Sequence, residues 1–204
     1  YVEIWNLVFM QYNRDHSGKL HPLPAPSVDT GMGLERIALV LQRKENIFAT
    51  DLFAPILEAV EQVCGFSLND SDEAVVRSSR VIADHIRAAT FLVSDGVLPS
   101  NDGRGYVLRR ILRKALVHGR RLGQTEPFVE HLLNVVIDNF QAAYPELSDN
   151  RVFISRVMGS EEERFLQTLE TGIRIFHYGS LKRVSPDAFP GGLPDSRLQA
   201  VRLT

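Results

Sequence analysis

The spacing of apolar residues changes period once along this chain, and that change dictates most of what it can fold into. Up to about residue 45 the sequence has the character of strands. Val2 to Tyr12 is an almost unbroken apolar and aromatic run, and Ser27-Val28-Asp29-Thr30 is a second extended segment. Between them lie a polar turn, Asn13 to Lys19, and Leu20-His21-Pro22-Leu23-Pro24-Ala25-Pro26. Three prolines forbid a helix interior there and favour an extended edge. A short connection of this kind suits antiparallel pairing. Gly31-Met32-Gly33 then turns the chain into a helix starting near Leu34.

From about residue 50 the apolar residues recur every three or four positions, the helical period. The spacing predicts a helix opened by Thr50-Asp51, with Leu52, Phe53, Ile56, Leu57, Val60 and Val63 on one stripe and Gly65 as its stop. A turn at Asn69-Asp70-Ser71-Asp72 caps a long helix over 73–93, with Val75, Ile82, Ile86, Ala89 and Val93 along one side. Asp95 to Gly103 is rich in turn formers. Helices are expected over 104–122, 126–143 and 149–178, followed by a loop-rich tail. The fold class is therefore α+β: paired strands first, then a mostly helical region.

Composition narrows the function classes. With 204 residues, 44 % hydrophobic and 24 % charged, the chain can bury a sizeable core. No apolar run approaches the ~18 residues of a membrane helix. The single cysteine, Cys64, excludes an internal disulfide and a multi-cysteine zinc site, and fits a reducing compartment. The chain opens at Tyr1 without a charged leader or cleavage site, and its first residues have the character of a buried strand. Both features lead us to expect an internal piece of a longer protein. The net charge of −2 means that any attraction to nucleic acid must come from a local patch.

Two segments carry chemistry. In Val28-Asp29-Thr30-Gly31-Met32-Gly33-Leu34-Glu35-Arg36, two glycines let the backbone approach a ligand and adopt positive φ. The helix start behind them offers open N–H groups to an anion. Arg36 adds a planar cation suited to phosphate, and Asp29 a carboxylate for an ammonium group. The alternative is a tight strand-to-helix turn with a surface arginine. The second segment runs from Ser100 to Arg121. Between 104 and 121 it has seven Lys or Arg and no acid. Leu108, Ile111, Leu112, Ala115 and Leu116 form one face, with Arg109, Arg110, Arg113, Lys114 and Arg121 largely on the other. Without acidic partners at helical spacing, phosphate backbone is the natural complement. The alternative pairs these arginines with acids elsewhere in the fold. Asn101, ahead of the helix, has an amide able to donate and accept, as a base-edge reader needs.

Other polar residues read more simply. Asp84 and His85 are neighbours on one helix, point in different directions and make no relay alone. The remaining histidines lack metal-ligand spacing. Glu161-Glu162-Glu163 suggests a solvated first turn of a helix segment.

Four segments, Glu3 to Tyr12, Val28 to Arg36, Ala83 to Arg87 and Gly103 to Arg113, together resemble alanyl-tRNA synthetase in order and spacing, over about residues 1–180. That resemblance implies the C-terminal end of a class II synthetase antiparallel catalytic sheet over 1–48, a helical tRNA-recognition domain over 49–180, and a tail over 181–204 of uncertain assignment. Gly31, Gly33 and Arg36 match the ATP-binding motif 3. Asn6, Val8, Asp29 and Gly31 match the alanine pocket, with the aspartate on the amino group. Asn101 matches an asparagine implicated in reading a G·U pair of the tRNA(Ala) acceptor stem; Arg104, Arg109, Arg110, Arg113 and Lys114 would support it on the phosphates.

The implied activity is alanine–tRNA ligation. ATP and Mg²⁺ enter as the substrate complex, no general base is assigned, and the compartment is the cytoplasm, with an organelle as the other reading. Motifs 1 and 2 lie upstream of these residues in the family. The zinc-bearing editing domain lies downstream, so no metal is expected here and the segment alone is expected to be inactive. The rival reading is a non-catalytic RNA-binding module.

Overall fold

The computed structural model describes residues 1–183, with side-chain surroundings through residue 172. Of the loop-rich tail expected over 181–204, residues 181–183 are the end of a helix and the rest lies outside the described residues. The chain divides into two compact units, Tyr1–Ala54 and one that begins at Pro55.

The first unit is a hairpin and a helix. Strands β1 (Trp5–Arg14) and β2 (Leu20–Met32) pair antiparallel as a two-stranded sheet, and α1 (Leu34–Leu41) follows at once. The register sets Trp5 opposite Met32, Asn6 opposite Gly31, Leu7 opposite Thr30, Val8 opposite Asp29 and Phe9 opposite Val28. It breaks between Met10, opposite Ser27, and Tyr12, opposite Pro22, so Leu23 to Pro26 bulge out against Gln11. Two of the three prolines fall in this bulge, where no ladder N–H is required.

Asp15 clasps the turn. Its Oδ1 accepts from Ser17 N (2.8 Å), Ser17 Oγ (2.6 Å) and Lys19 N (3.0 Å), and its Oδ2 meets His21 Nε2 at 2.8 Å. The Ser17 hydroxyl first, then His21, lowers the Asp15 carboxyl to about 2.

The expectation that the first strand is buried is not met. Trp5, Leu7, Val8 and Tyr12 are exposed, and Phe9 is 74 % exposed. A two-stranded ribbon has two faces, and one eight-residue helix is too little to cover them.

The second unit is helical: α2 (Ala54–Cys64), α3 (Glu73–Ser94), α4 (Gly103–Arg121), α5 (Val129–Phe140), α6 (Pro145–Asp149) and α7 (Arg151–Arg183). Thr50 and Asp51 do not open α2. Residues 47–49 make a short 3₁₀ turn, Thr50 Oγ1 donates back to Ile47 O (2.6 Å), and the helix starts only at Ala54. Gly65 ends it at φ +72°, as its sequence position suggests. Asp72 caps α3 by accepting from Val75 N (2.9 Å). The helix expected over 126–143 is shorter, because Pro145 starts a separate turn of helix, and α7 continues to Arg183 rather than ending near 178.

Helix α3 is the hub, packed on α4, α5, α6 and α7. Its Ile82, Ile86, Ala89 and Val93 are fully buried, together with Leu108, Leu112 and Leu116 of α4, Leu132, Leu133 and Ile137 of α5, and Ile154 and Met158 of α7. No helix among the described residues is long and apolar enough to cross a membrane.

Candidate functional site

In an antiparallel pair, directly opposed residues share a face, and so do residues two apart. The register therefore puts Asn6, Val8, Asp29 and Gly31 on one face of the ribbon as two adjacent cross-strand pairs. Trp5, Leu7, Phe9, Val28 and Met32 occupy the other. Gly31 leaves room for the Asn6 amide, which a side chain at this position would push aside. A Cβ there would sit 2.9 Å from Asn6 Oδ1. Neither Gly31 nor Gly33 has positive φ, which corrects the reason given for both from sequence. Gly33 instead makes room for Arg36, whose stem a Cβ would meet at 3.3–3.5 Å.

Glu3 ties this face to Arg36. Its carboxylate accepts from Asn6 Nδ2 (3.1 Å), and its backbone carbonyl accepts from Arg36 Nη1 (2.6 Å). Sequence reasoning missed Glu3; an acid three residues before an asparagine on one strand carries no distinctive signal. Asp29 Oδ1 accepts from Thr30 N (2.9 Å), which fixes the carboxylate at the strand end.

In the helical unit the basic helix is not without acidic partners. Glu161, on α7 and 3 % exposed, takes both Arg109 (Nε at 3.3 Å) and Arg113 (Nε and Nη2 at 2.7 Å) on its Oε1. Arg113 also lies over the Phe165 ring at 5.2 Å. Arg120 pairs with Glu170 at 3.3 Å. The alternative of acids elsewhere in the fold thus holds for Arg109 and Arg113, whereas Arg104, Arg110, Lys114 and Arg121 stand exposed.

The solvated-turn expectation for Glu161 and Glu162 is overturned as well. They lie inside α7 on the side facing α4 and α5, and only Glu163 is exposed. Glu162, 2 % exposed, accepts from Phe128 N (2.9 Å) and Val129 N (3.3 Å), supplying the N-terminal cap that α5 lacks from its own residues. Burial pushes its carboxyl up, against the pull of those two N–H groups.

The loop before α4 is pinned to that helix. Gly105 has no room for a Cβ, which would lie 2.2 Å from Leu98 O and 2.4 Å from Ser100 Oγ. Arg109 Nη1 donates to Asn101 Oδ1, and Nη2 to Pro99 O (3.3 Å). Asn101 is exposed, with its amide oxygen engaged by Arg109.

Between the first half of α3 and α4 runs an open groove of about 910 Å³, lined by Arg77, Arg110, Arg113, Lys114 and Arg121, with Asp72 as the one acid among the described residues that line it. Its floor holds a buried polar pair, His118 Nδ1 and Ser78 Oγ at 3.1 Å. Burial first, then the nearby Arg121 and Lys114, lowers the His118 pKa, so the imidazole is neutral near pH 7. Arg77, Ser78 and His118 were not singled out as site residues from sequence, because the groove forms only where two helices cross, whereas Arg121 stands on the basic face the sequence shows. Asp84 and His85 do meet, at 2.8 Å, contrary to the expectation for neighbours on one helix; that bond lowers the aspartate's pKa. Among the described residues, no three His, Cys, Asp or Glu side chains are grouped to hold a metal ion.

Residues 1–188 match the family model of the class II (A) tRNA synthetases. The chain is 56 % identical over 175 residues to the alanine–tRNA ligase of Nitrosomonas europaea, covering 86 % of this chain and 20 % of that protein. It is 53 % identical over 195 residues to the alanine–tRNA ligase of Anaeromyxobacter dehalogenans, covering 95 % and 21 %. For that of Desulfosudis oleivorans the identity is 48 % over 195 residues, covering 95 % and 22 %. The chain thus spans about one fifth of the length of these relatives.

Proposed function

The chain belongs to the class II (A) tRNA synthetases, and from that membership we propose that it forms part of an alanine–tRNA ligase. In this reading the ribbon is the C-terminal end of a larger antiparallel catalytic sheet, and the helices that flank such a sheet cover its exposed Trp5, Leu7 and Phe9. The single observation that carries the proposal is the shared face of Asn6, Val8, Asp29 and Gly31. It combines a carboxylate, an amide, a small apolar side chain and a bare backbone position. A small amino acid needs those features: its ammonium on Asp29, its carboxylate toward the Asn6 amide, and its methyl group over Val8 and Gly31.

Arg36, steered by Glu3 and given space by Gly33, takes ATP phosphate charge, and Mg²⁺ enters with the nucleotide. Activation then rests on positioning and on charge stabilisation rather than on a general base.

The helical unit supplies the contact to tRNA(Ala). Arg104, Arg110 and Lys114, joined by Arg77 and Arg121 across the α3–α4 groove, meet acceptor-stem phosphates. Arg109 and Arg113 act from behind, fixed on Glu161. Asn101 reads the G·U pair through the shallow minor groove that an A-form stem presents. The compartment in this reading is the cytoplasm, where tRNA is charged.

The test is Asp29→Asn in a full-length ligase carrying this chain. Losing a charge-assisted contact to the ammonium costs about 1.5–3 kcal/mol, roughly 10- to 100-fold in kcat/KM for alanine. Unchanged alanine dependence in ATP–pyrophosphate exchange would refute the pocket.

A further inference from the structure

We propose that Glu161 is a positioning residue for RNA reading: through Arg109 it holds the loop that presents Asn101. The inference rests on the reading of Asn101 given above and adds a residue sixty positions away on another helix.

The geometry runs in one line. Glu161 sits on α7, almost wholly buried, and its Oε1 lies 3.3 Å from the Nε of Arg109, an ion pair in which that nitrogen makes no hydrogen bond. That contact uses the inner edge of the guanidinium and leaves the two terminal nitrogens pointing at the loop. Nη1 donates to the Asn101 side chain and Nη2 to the Pro99 carbonyl, so one arginine grips the loop at two points. From the opposite side, the missing Cβ of Gly105 lets Leu98 and Ser100 rest on the first turn of α4. With its oxygen engaged by Arg109, the amide of Asn101 has in its nitrogen the donor a base-edge acceptor needs.

An arginine has many rotamers, and only a fixed one can orient a neighbouring amide. Glu161 fixes it. Arg113, held by the same oxygen and stacked on Phe165, keeps that oxygen in place. A role confined to tying α7 to α4 would need Arg113 alone; it would not need the second arginine to reach past the carboxylate into the loop.

The experiment is aminoacylation by a full-length ligase carrying this chain, on tRNA(Ala) with G·U and on its G·C variant. Glu161→Gln keeps the shape and removes the charge that holds Arg109. The ratio of kcat/KM between the two tRNAs should fall roughly tenfold, the scale of one base-edge contact, while alanine-dependent ATP–pyrophosphate exchange stays unchanged. Arg109→Lys, which keeps the charge and loses the fork, should do the same, and it carries the test if Glu161→Gln does not fold. Glu163→Gln, an exposed neighbour, should leave the ratio intact.

Combined with Asn101→Ala, Glu161→Gln should produce no further loss, because both act on one contact. A preserved ratio in Glu161→Gln and Arg109→Lys, beside a lost ratio in Asn101→Ala, overturns the proposal and leaves the reading of Asn101 standing. Additive losses, or equal slowing on both tRNAs, also overturn it. A preserved ratio in Asn101→Ala removes the reading itself, and the proposal with it.

Discussion

The two units of this chain use apolar residues in opposite ways. In the helical unit they vanish from solvent: the inner faces of α3, α4, α5 and α7 are fully buried against one another. Even the acids Glu161 and Glu162 are enclosed, each with basic or backbone partners. In the ribbon unit Trp5, Leu7, Phe9 and Met32 stay exposed although their sequence is as apolar as any helix stripe. Helices pair face to face and close a core among themselves, whereas a two-stranded sheet leaves both faces open. The helical unit is thus fixed by contacts within a core, whereas the ribbon rests on its ladder, its turn and the Arg36–Glu3 bond to α1. Substitutions in the first should lower global stability, and those in the second should act locally.

The largest effect is expected at Glu162. Glu162→Ala leaves the buried N–H groups of Phe128 and Val129 without an acceptor, at about 1–3 kcal/mol for each, seen as a lower melting temperature of the helical unit. Glu162→Gln keeps an acceptor. Because the carboxyl titrates above its ordinary 4.5, the stability it lends is complete below that value and declines as pH rises through the folded pKa. Melting across that range should show the decline in the wild type and not in Glu162→Gln.

Gly105→Ala comes next. Its Cβ cannot coexist with the Leu98 carbonyl, so the loop must lift from α4 at about 1–3 kcal/mol, measurable by chemical denaturation. A neutral result would show that the loop is not pinned.

The smallest effect belongs to the ribbon. Asp15 titrates near 2 rather than 3.8, so its clasp is fully effective above 3.8 and is lost as pH falls through about 2. Hydrogen exchange of the β1–β2 amides should quicken over that interval, and Asp15→Asn should remove the pH dependence without shifting the helical transition. A shared shift would mean that the units unfold as one.

What was legible in the sequence follows the same division. Helical period marked α1, α3, α4 and the stop at Gly65, because each stripe reports a local geometry. The face shared by Asn6 and Gly31 depended on register, which the turn at Asp15 and the proline bulge set and which no single segment displays. Glu161 and Glu162 were misplaced because a buried acid has no sequence mark of its own. The only hint was Arg109 and Arg113, one helical turn apart, where a single carboxylate can bridge both. The α3–α4 groove was legible on one side: Arg110, Arg113 and Lys114 of its α4 wall stand on the basic face, whereas the α3 wall with Arg77 and Ser78 had no signal, since the two helices meet only in the fold.

The central claim is that activation chemistry sits in the ribbon unit and RNA reading in the helical one. The most direct measurement is alanine-dependent ATP–pyrophosphate exchange by a full-length ligase carrying Arg36→Ala or Asn101→Ala. The account predicts that Arg36→Ala slows exchange by the equivalent of about 1.5–3 kcal/mol, while Asn101→Ala leaves it at the wild-type rate. Unchanged exchange in Arg36→Ala, or an equal loss in both variants, would contradict it.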